Sequence, residues 1–211
     1  LKRLVYSEDL FGLQTPEELI IELTSLLDQR KFKEALRKVK PLIENFPNLI
    51  SFLVIQGRAY EGLQNYDAAI DSFENIIRVN PKYINGYDLL AQAYKKTGDL
   101  SATIDTYENA LKINSNHVES LNNLGLALNQ KGDFKSAIDI FKYAIHIRPD
   151  KAELFSNLGV VLQYKGELDA SIISQKKAIE LNPYEANFYS NLGTCQKDMG
   201  DYEVAIDSFK Q

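Results

Sequence analysis

Asn123-Leu124-Gly125 recurs as Asn157-Leu158-Gly159 and again as Asn191-Leu192-Gly193, each 34 residues after the last, and the residues between them repeat in register. A fixed period of this length describes stacked units, none of which can bury its apolar face alone. Counting outward from these anchors gives repeats at 16–49, 50–83, 84–117, 118–151, 152–185 and 186–211, the last one short, with no insertion or deletion. Residues 1–15 precede them as an N-terminal extension.

Small residues dominate the eighth place of each repeat, as in Gly57, Ala91, Gly125, Gly159 and Gly193, and the twentieth, as in Ala35, Ala69, Ala137, Ser171 and Ala205. Large ones fill the fourth place (Leu19, Leu53, Tyr87, Leu121, Phe155, Tyr189) and the twenty-fourth (Val39, Phe73, Tyr107, Phe141, Phe209), where Gln175 alone breaks the series. Between the two apolar stretches stand Gly98-Asp99, Gly132-Asp133, Gly166-Glu167 and Gly200-Asp201, in which glycine ends one helix and the acid opens the next. Each repeat therefore reads as helix, turn, helix. Pro47, Pro81, Pro149 and Pro183 close four of the five full repeats, and Ser115 stands at that place in the third.

This pattern resembles the tetratricopeptide repeat over residues 16–211. The resemblance implies an all-α, right-handed superhelical solenoid whose first helices line a concave groove for peptides or protein elements. The first repeat departs most, with Leu23 in the eighth place, Arg30-Lys31 at the turn and Pro41 inside its second helix, which is expected to kink or distort. Its start is well specified: Thr15 can cap, Pro16 suits the first helical position and Glu18 completes a capping box.

Composition excludes several classes. With 45% hydrophobic and 25% charged residues the chain can build a folded array, and its net charge of −5 is spread along it, so no basic stripe follows nucleic acid. No apolar run is long enough to span a membrane and no leader opens the chain, which reads as cytoplasmic. One cysteine, Cys195, excludes an intrachain disulfide or a multi-thiolate zinc site and falls in a series of small apolar residues, so it reads as a packing thiol. His117 and His146 have no ligand partner nearby in sequence. No nucleophile stands with a base and no glycine loop cradles phosphate, so neither catalysis nor a cofactor is expected of this segment.

Function then rests on the face that the second, fifth, sixth, ninth, twelfth and thirteenth residues of each repeat share. In the first three repeats it carries Ile20, Ile21, Val54, Ile55 and Leu89 with Arg58 and Gln92, a largely apolar surface. In the last three it carries Asn122, Asn123, Asn157, Asn187 and Asn191, an amide surface. Asn123, Asn157 and Asn191 form a ladder in which every rung offers both a donor and an acceptor to an extended peptide. The alternative is that asparagine is simply common at this place in such repeats. The ladder resembles the repeat region of O-linked N-acetylglucosamine transferases and related bacterial proteins, which implies a second reading: a substrate-recruiting arm of a larger glycosyltransferase or sulfotransferase. The lysine, arginine and asparagine clamp of chaperone-cofactor repeats, which grips an acidic C-terminal tail, is missing here.

The expected function is a non-catalytic scaffold that binds a peptide or protein in the groove. The chain starts at Leu1 and stops inside the second helix of its sixth repeat, so both ends read as cuts in a longer protein, and self-association through either end is expected. Residues 1–14, with Leu4, Val5, Tyr6, Leu10, Phe11 and Leu13, are too apolar for a plain linker. They either pack on the first repeat or in a groove, or form a short extra helix. Deleting residues 1–14 should lower the melting temperature or change the oligomeric state; calorimetry and sedimentation that find both unchanged would rule out the packed arrangement.

Overall fold

The computed structural model describes residues 15–211, and the N-terminal segment's expected packing lies outside them. Those residues form twelve α-helices and no strand. They divide into two compact units that part between Thr97 and Gly98, inside the turn of the third repeat.

The first unit holds α1 (Pro16–Asp28), α2 (Phe32–Asn45), α3 (Ile50–Gly62), α4 (Tyr66–Val79) and α5 (Ile84–Thr97). Each helix packs on the next, and α1 also meets α3. Thr15 caps α1 as the sequence implies: its Oγ1 accepts the Glu18 amide at 3.3 Å while its own amide donates to Glu18 Oε2 at 2.8 Å. Lys38 of α2 pairs with Glu22 of α1. Pro41 lies inside α2, which runs from Phe32 to Asn45. The ring removes the amide that would donate to the Arg37 carbonyl, and one turn further on the Asn45 side chain donates to the Pro41 carbonyl at 2.8 Å.

The second unit holds α6 (Leu100–Ile113), α7 (Val118–Lys131), α8 (Phe134–Ile147), α9 (Ala152–Lys165), α10 (Leu168–Leu181), α11 (Ala186–Met199) and α12 (Tyr202–Phe209). Again each helix packs on its successor, and α9 additionally touches α7 and α11. The first helices of the last three repeats therefore lie side by side.

Within a repeat the two helices close on the missing side chain of the eighth residue. A Cβ on Gly57 would stand 2.2 Å from the Phe73 ring, one on Gly125 2.7 Å from Phe141, and one on Gly193 2.8 Å from Phe209. Phe73 and Phe141 are completely buried there. Burying such a ring contributes about 1.5–3 kcal/mol. The first repeat reaches the same end with the sizes exchanged, Leu23 in the eighth place and Val39 in the twenty-fourth, both buried in one cluster with Leu26, Leu42 and Phe52.

The turns share one geometry. Gly132 is left-handed at φ 83°, its amide donates to the Asn129 carbonyl and the Asp133 amide reaches back to Leu128, while the Asp133 carboxylate caps α8 through the Ser136 amide. Arg30 and Gln64 occupy the glycine place with φ of 57° and 60° and keep the same backward bonds, from Lys31 to Leu26 and from Asn65 to Tyr60. A side chain in this region costs about 1–2 kcal/mol. Gln64→Gly should therefore stabilise the chain by about 0.5–1 kcal/mol, and Gly132→Ala should destabilise it by a similar amount; urea unfolding of the two variants gives the signs directly.

Candidate functional site

The side chains placed on the shared face by helical spacing do not all reach solvent. In the first unit Ile21 is 70% exposed, Ile20 and Val54 are half-buried, and Arg58 is exposed with Nη1 2.9 Å from Glu61 Oε2. The expectation fails for Ile55 and Leu89, which are 4% and 8% exposed. Ile55 belongs to the core cluster of Leu23 and Leu26, and Leu89 to that of Leu53 and Phe73. The sixth residue of a repeat faces the helix before it, so an apolar side chain there is absorbed by that seam. Ile21, with no described helix before it, stays open. Gln92 is half-buried and donates from Nε2 to Asp88 Oδ2 at 2.6 Å. The first unit thus offers less apolar surface than its sequence suggests.

The same seam receives amides in the second unit. Asn157 Nδ2 donates to Asn122 Oδ1 at 2.8 Å, and Asn191 Nδ2 donates to Ser156 Oγ at 3.1 Å. In both cases the sixth residue of one repeat reaches the fifth of the repeat before. Asn187 is exposed and donates to Glu185 Oε1 at 2.8 Å, and Asn123 is half-buried. Of the amides expected on this face, Asn122 and Asn157 meet each other, while Asn191 gives one amide hydrogen to Ser156 and Asn187 gives one to Glu185.

Gln175 fixes the direction of the second of these bonds. It is fully buried and takes the place that phenylalanine holds in three other repeats; a Cβ on Gly159 would stand 2.6 Å from its Nε2. Nε2 donates to the Ser156 carbonyl at 2.9 Å, and Oε1 accepts from Ser156 Oγ at 2.9 Å. A backbone carbonyl can only accept, so the glutamine must turn its NH2 toward it and its oxygen toward the hydroxyl. The hydroxyl proton is then committed to Gln175, and Ser156 Oγ can only accept from Asn191. Asn191 must therefore turn its NH2 group toward Ser156, with one of its two hydrogens in that bond.

Beside this network Ser171 Oγ donates to the Gly159 carbonyl at 2.7 Å, which leaves its oxygen to accept from the Cys195 thiol at 2.8 Å. Cys195 is fully buried, and burial pushes its thiol pKa up, so it packs rather than reacts.

A pocket of about 200 Å³ opens beside Asn122 at the N-terminal ends of α7 and α9, lined by Val118, Glu119, Asn122, Asn123, Lys151, Glu153 and Leu154. Lys151 Nζ lies 3.1 Å from Glu119 Oε1. The backbone amide of Glu119, and then Lys151, hold the Glu119 carboxyl below its ordinary range. Sequence spacing missed Lys151 because it is the last residue of its repeat and joins the pocket only when two repeats stack. Among the described residues no group of three or more histidine, cysteine or acidic side chains could hold a metal ion, and no helix is long and apolar enough to cross a membrane.

The buried network generates an energetic expectation. Gln175→Ala should destabilise by about 2–4 kcal/mol, by cavity formation and by stranding the Ser156 groups. Ser156→Ala should cost at least about 1 kcal/mol less in that background than alone, and a double-mutant cycle from urea unfolding measures the difference.

Comparison with known proteins agrees with this architecture. A family model described as Tetratricopeptide repeat matches residues 22–83 and 89–152, and a second of the same description matches 152–185 and 186–211. Among solved structures, MamA is 23% identical with a TM-score of 0.65 over 73% of this chain and 90% of that one. YrrB, described as a TPR protein with an unusual peptide-binding site, is 20% identical with a TM-score of 0.64 over 92% of this chain and 91% of that one. The APC/C hetero-tetramer Cut9–Hcn1 is 18% identical with a TM-score of 0.68 over 92% of this chain and 38% of that one. These likenesses concern the fold, and no curated protein sequence matches the chain. With both family models matching successive stretches from residue 22 to residue 211 and helices paired along each unit, this chain belongs to the tetratricopeptide repeat family.

Proposed function

We propose that the chain is a non-catalytic scaffold that holds an extended peptide or protein segment across the first helices of its last three repeats. The observation that carries this reading is the set of amides held in place on this face, Asn157 bonded to Asn122 and Asn191 to Ser156, the latter oriented from the core by Gln175. An extended backbone offers amides and carbonyls to match them whatever its side chains. Pre-orientation lowers the ordering cost of binding, since the amide rotors are already locked. The description of YrrB as having a peptide-binding site supports the choice of ligand class. A substrate-recruiting role beside a transferase domain, which the asparagine series suggests, would use this same surface.

Each amide contact contributes about 0.5–1.5 kcal/mol, so three give a few kcal/mol before ordering costs. Capture is weak and tolerant of sequence. A displayed random-peptide library panned against the chain should yield binders that lose about 10–100-fold in affinity for Asn122→Ala/Asn157→Ala/Asn191→Ala, with the variant's folding checked by circular dichroism. Binders that hold equally well to the triple variant, and compete with one another, would place the ligand on another face.

A further inference from the structure

We propose that Gln175 is a positioning residue for peptide binding: acting through Ser156, it commits Asn191 to accept a hydrogen bond, so this rung of the amide face takes a backbone N–H and discriminates against a ligand without one. This rests on the peptide-binding reading and specifies what the ligand must offer at that rung. Gln175 is fully buried, so it acts only through what it touches. Its Nε2 is held by the Ser156 carbonyl and its Oε1 takes the Ser156 hydroxyl proton, each at 2.9 Å. The Ser156 oxygen is left to accept from Asn191 Nδ2 at 3.1 Å. Among the described residues Asn129 Oδ1 is the one buried side-chain polar atom without a partner. Asn191 Oδ1 accepts no bond from the chain and is not buried in that way, so it lies open to solvent.

The Asn157–Asn122 pair has no such anchor. Both side chains are amides, and turning both over exchanges donor for acceptor while keeping a bond between them, so this pair adapts to either edge of a ligand. Reversing Asn191 would instead set its oxygen against the Ser156 oxygen, whose proton is already given to Gln175. In the repeats of Gly57, Gly125 and Gly193 the same slot holds the ring of Phe73, Phe141 or Phe209, which orients no hydroxyl. Polarity at the Asn191 rung is thus set from the core of the fifth repeat.

The test uses acetyl-hexaalanine-amide and a counterpart with lactate in place of each alanine, which keeps the extended shape and replaces each alanine N–H by an ester oxygen. Both are titrated into the labelled wild-type chain, Gln175→Phe and Gln175→Met, while NMR follows the Asn157 and Asn191 side-chain amides. Gln175→Phe installs the ring that the slot holds elsewhere, and Gln175→Met keeps the length of the side chain without its amide, so either variant serves if the other fails to fold. Read at Asn191, the wild-type chain should bind the amide probe about fivefold tighter than the ester, and the preference should fall to about twofold or less in the variants. A loss of folded protein alone weakens both probes equally and leaves their ratio as it was. Equal binding of the two probes at Asn191 in the wild-type chain, or a preference that persists undiminished in the variants, would overturn the role of Gln175. The peptide-binding reading reports separately: an amide probe that moves neither Asn157 nor Asn191 in the wild-type chain sinks that reading, and this inference with it.

Discussion

The two helices of a repeat meet where one of them has no side chain, and the rest of the structure follows from that close approach. Phe73 and Phe141 are fully buried because Gly57 and Gly125 leave room for a ring against backbone. Interiors pack as densely as organic crystals, so the distance between the helices is set by what fills this slot. The slot conserves volume rather than identity: Leu23 with Val39 does in the first repeat what glycine with phenylalanine does in the second. Once the hairpin is fixed, its first helix can meet its neighbour only along one seam, and the sixth residue points into it.

What fills the seam decides the character of each unit. Ile55 and Leu89 extend the core outward and leave little apolar surface behind. Asn157 and Asn191 bond across instead. A bonded amide contributes only about 0.5–1.5 kcal/mol net, less than a buried isoleucine, so these asparagines are a weak source of stability. Their consequence is orientational: a paired amide is held with a defined edge toward its partner, whereas an apolar contact orients no polar atom.

Much of this was legible in the sequence. The paired helices, the Thr15 capping box and the packed thiol of Cys195 all follow from local patterns, and local patterns govern them physically. Burial at the sixth place was not legible, because helical spacing describes one helix against one neighbour, and α3 and α9 are packed on helices before and after them. The same effect buries the third residue, as in Phe52, Leu154 and Phe188. Pro41 is carried within α2 although a proline costs an isolated helix about 3 kcal/mol, because Val39 and Leu42 on either side of it are buried in the core. Gln175 stood out as the one break in an aromatic series, but its meaning needed Ser156, 19 residues away and on the facing helix.

That pairing gives the break a purpose the periodic reading lacks. Phenylalanine at this place would pack against Gly159 as its counterparts do elsewhere, yet it would leave the Ser156 hydroxyl free to rotate, donating to Asn191 or accepting from it. The Asn191 amide could then turn either edge outward, and the face would present two alternating patterns. With glutamine in the core, the Ser156 carbonyl orients Gln175, Gln175 orients the hydroxyl, and the hydroxyl orients Asn191. A substitution that touches no solvent thus selects which atom the surface offers to a ligand. In an array whose repeats share one backbone plan, such a core residue can make one repeat recognise differently from the next without altering its surface composition.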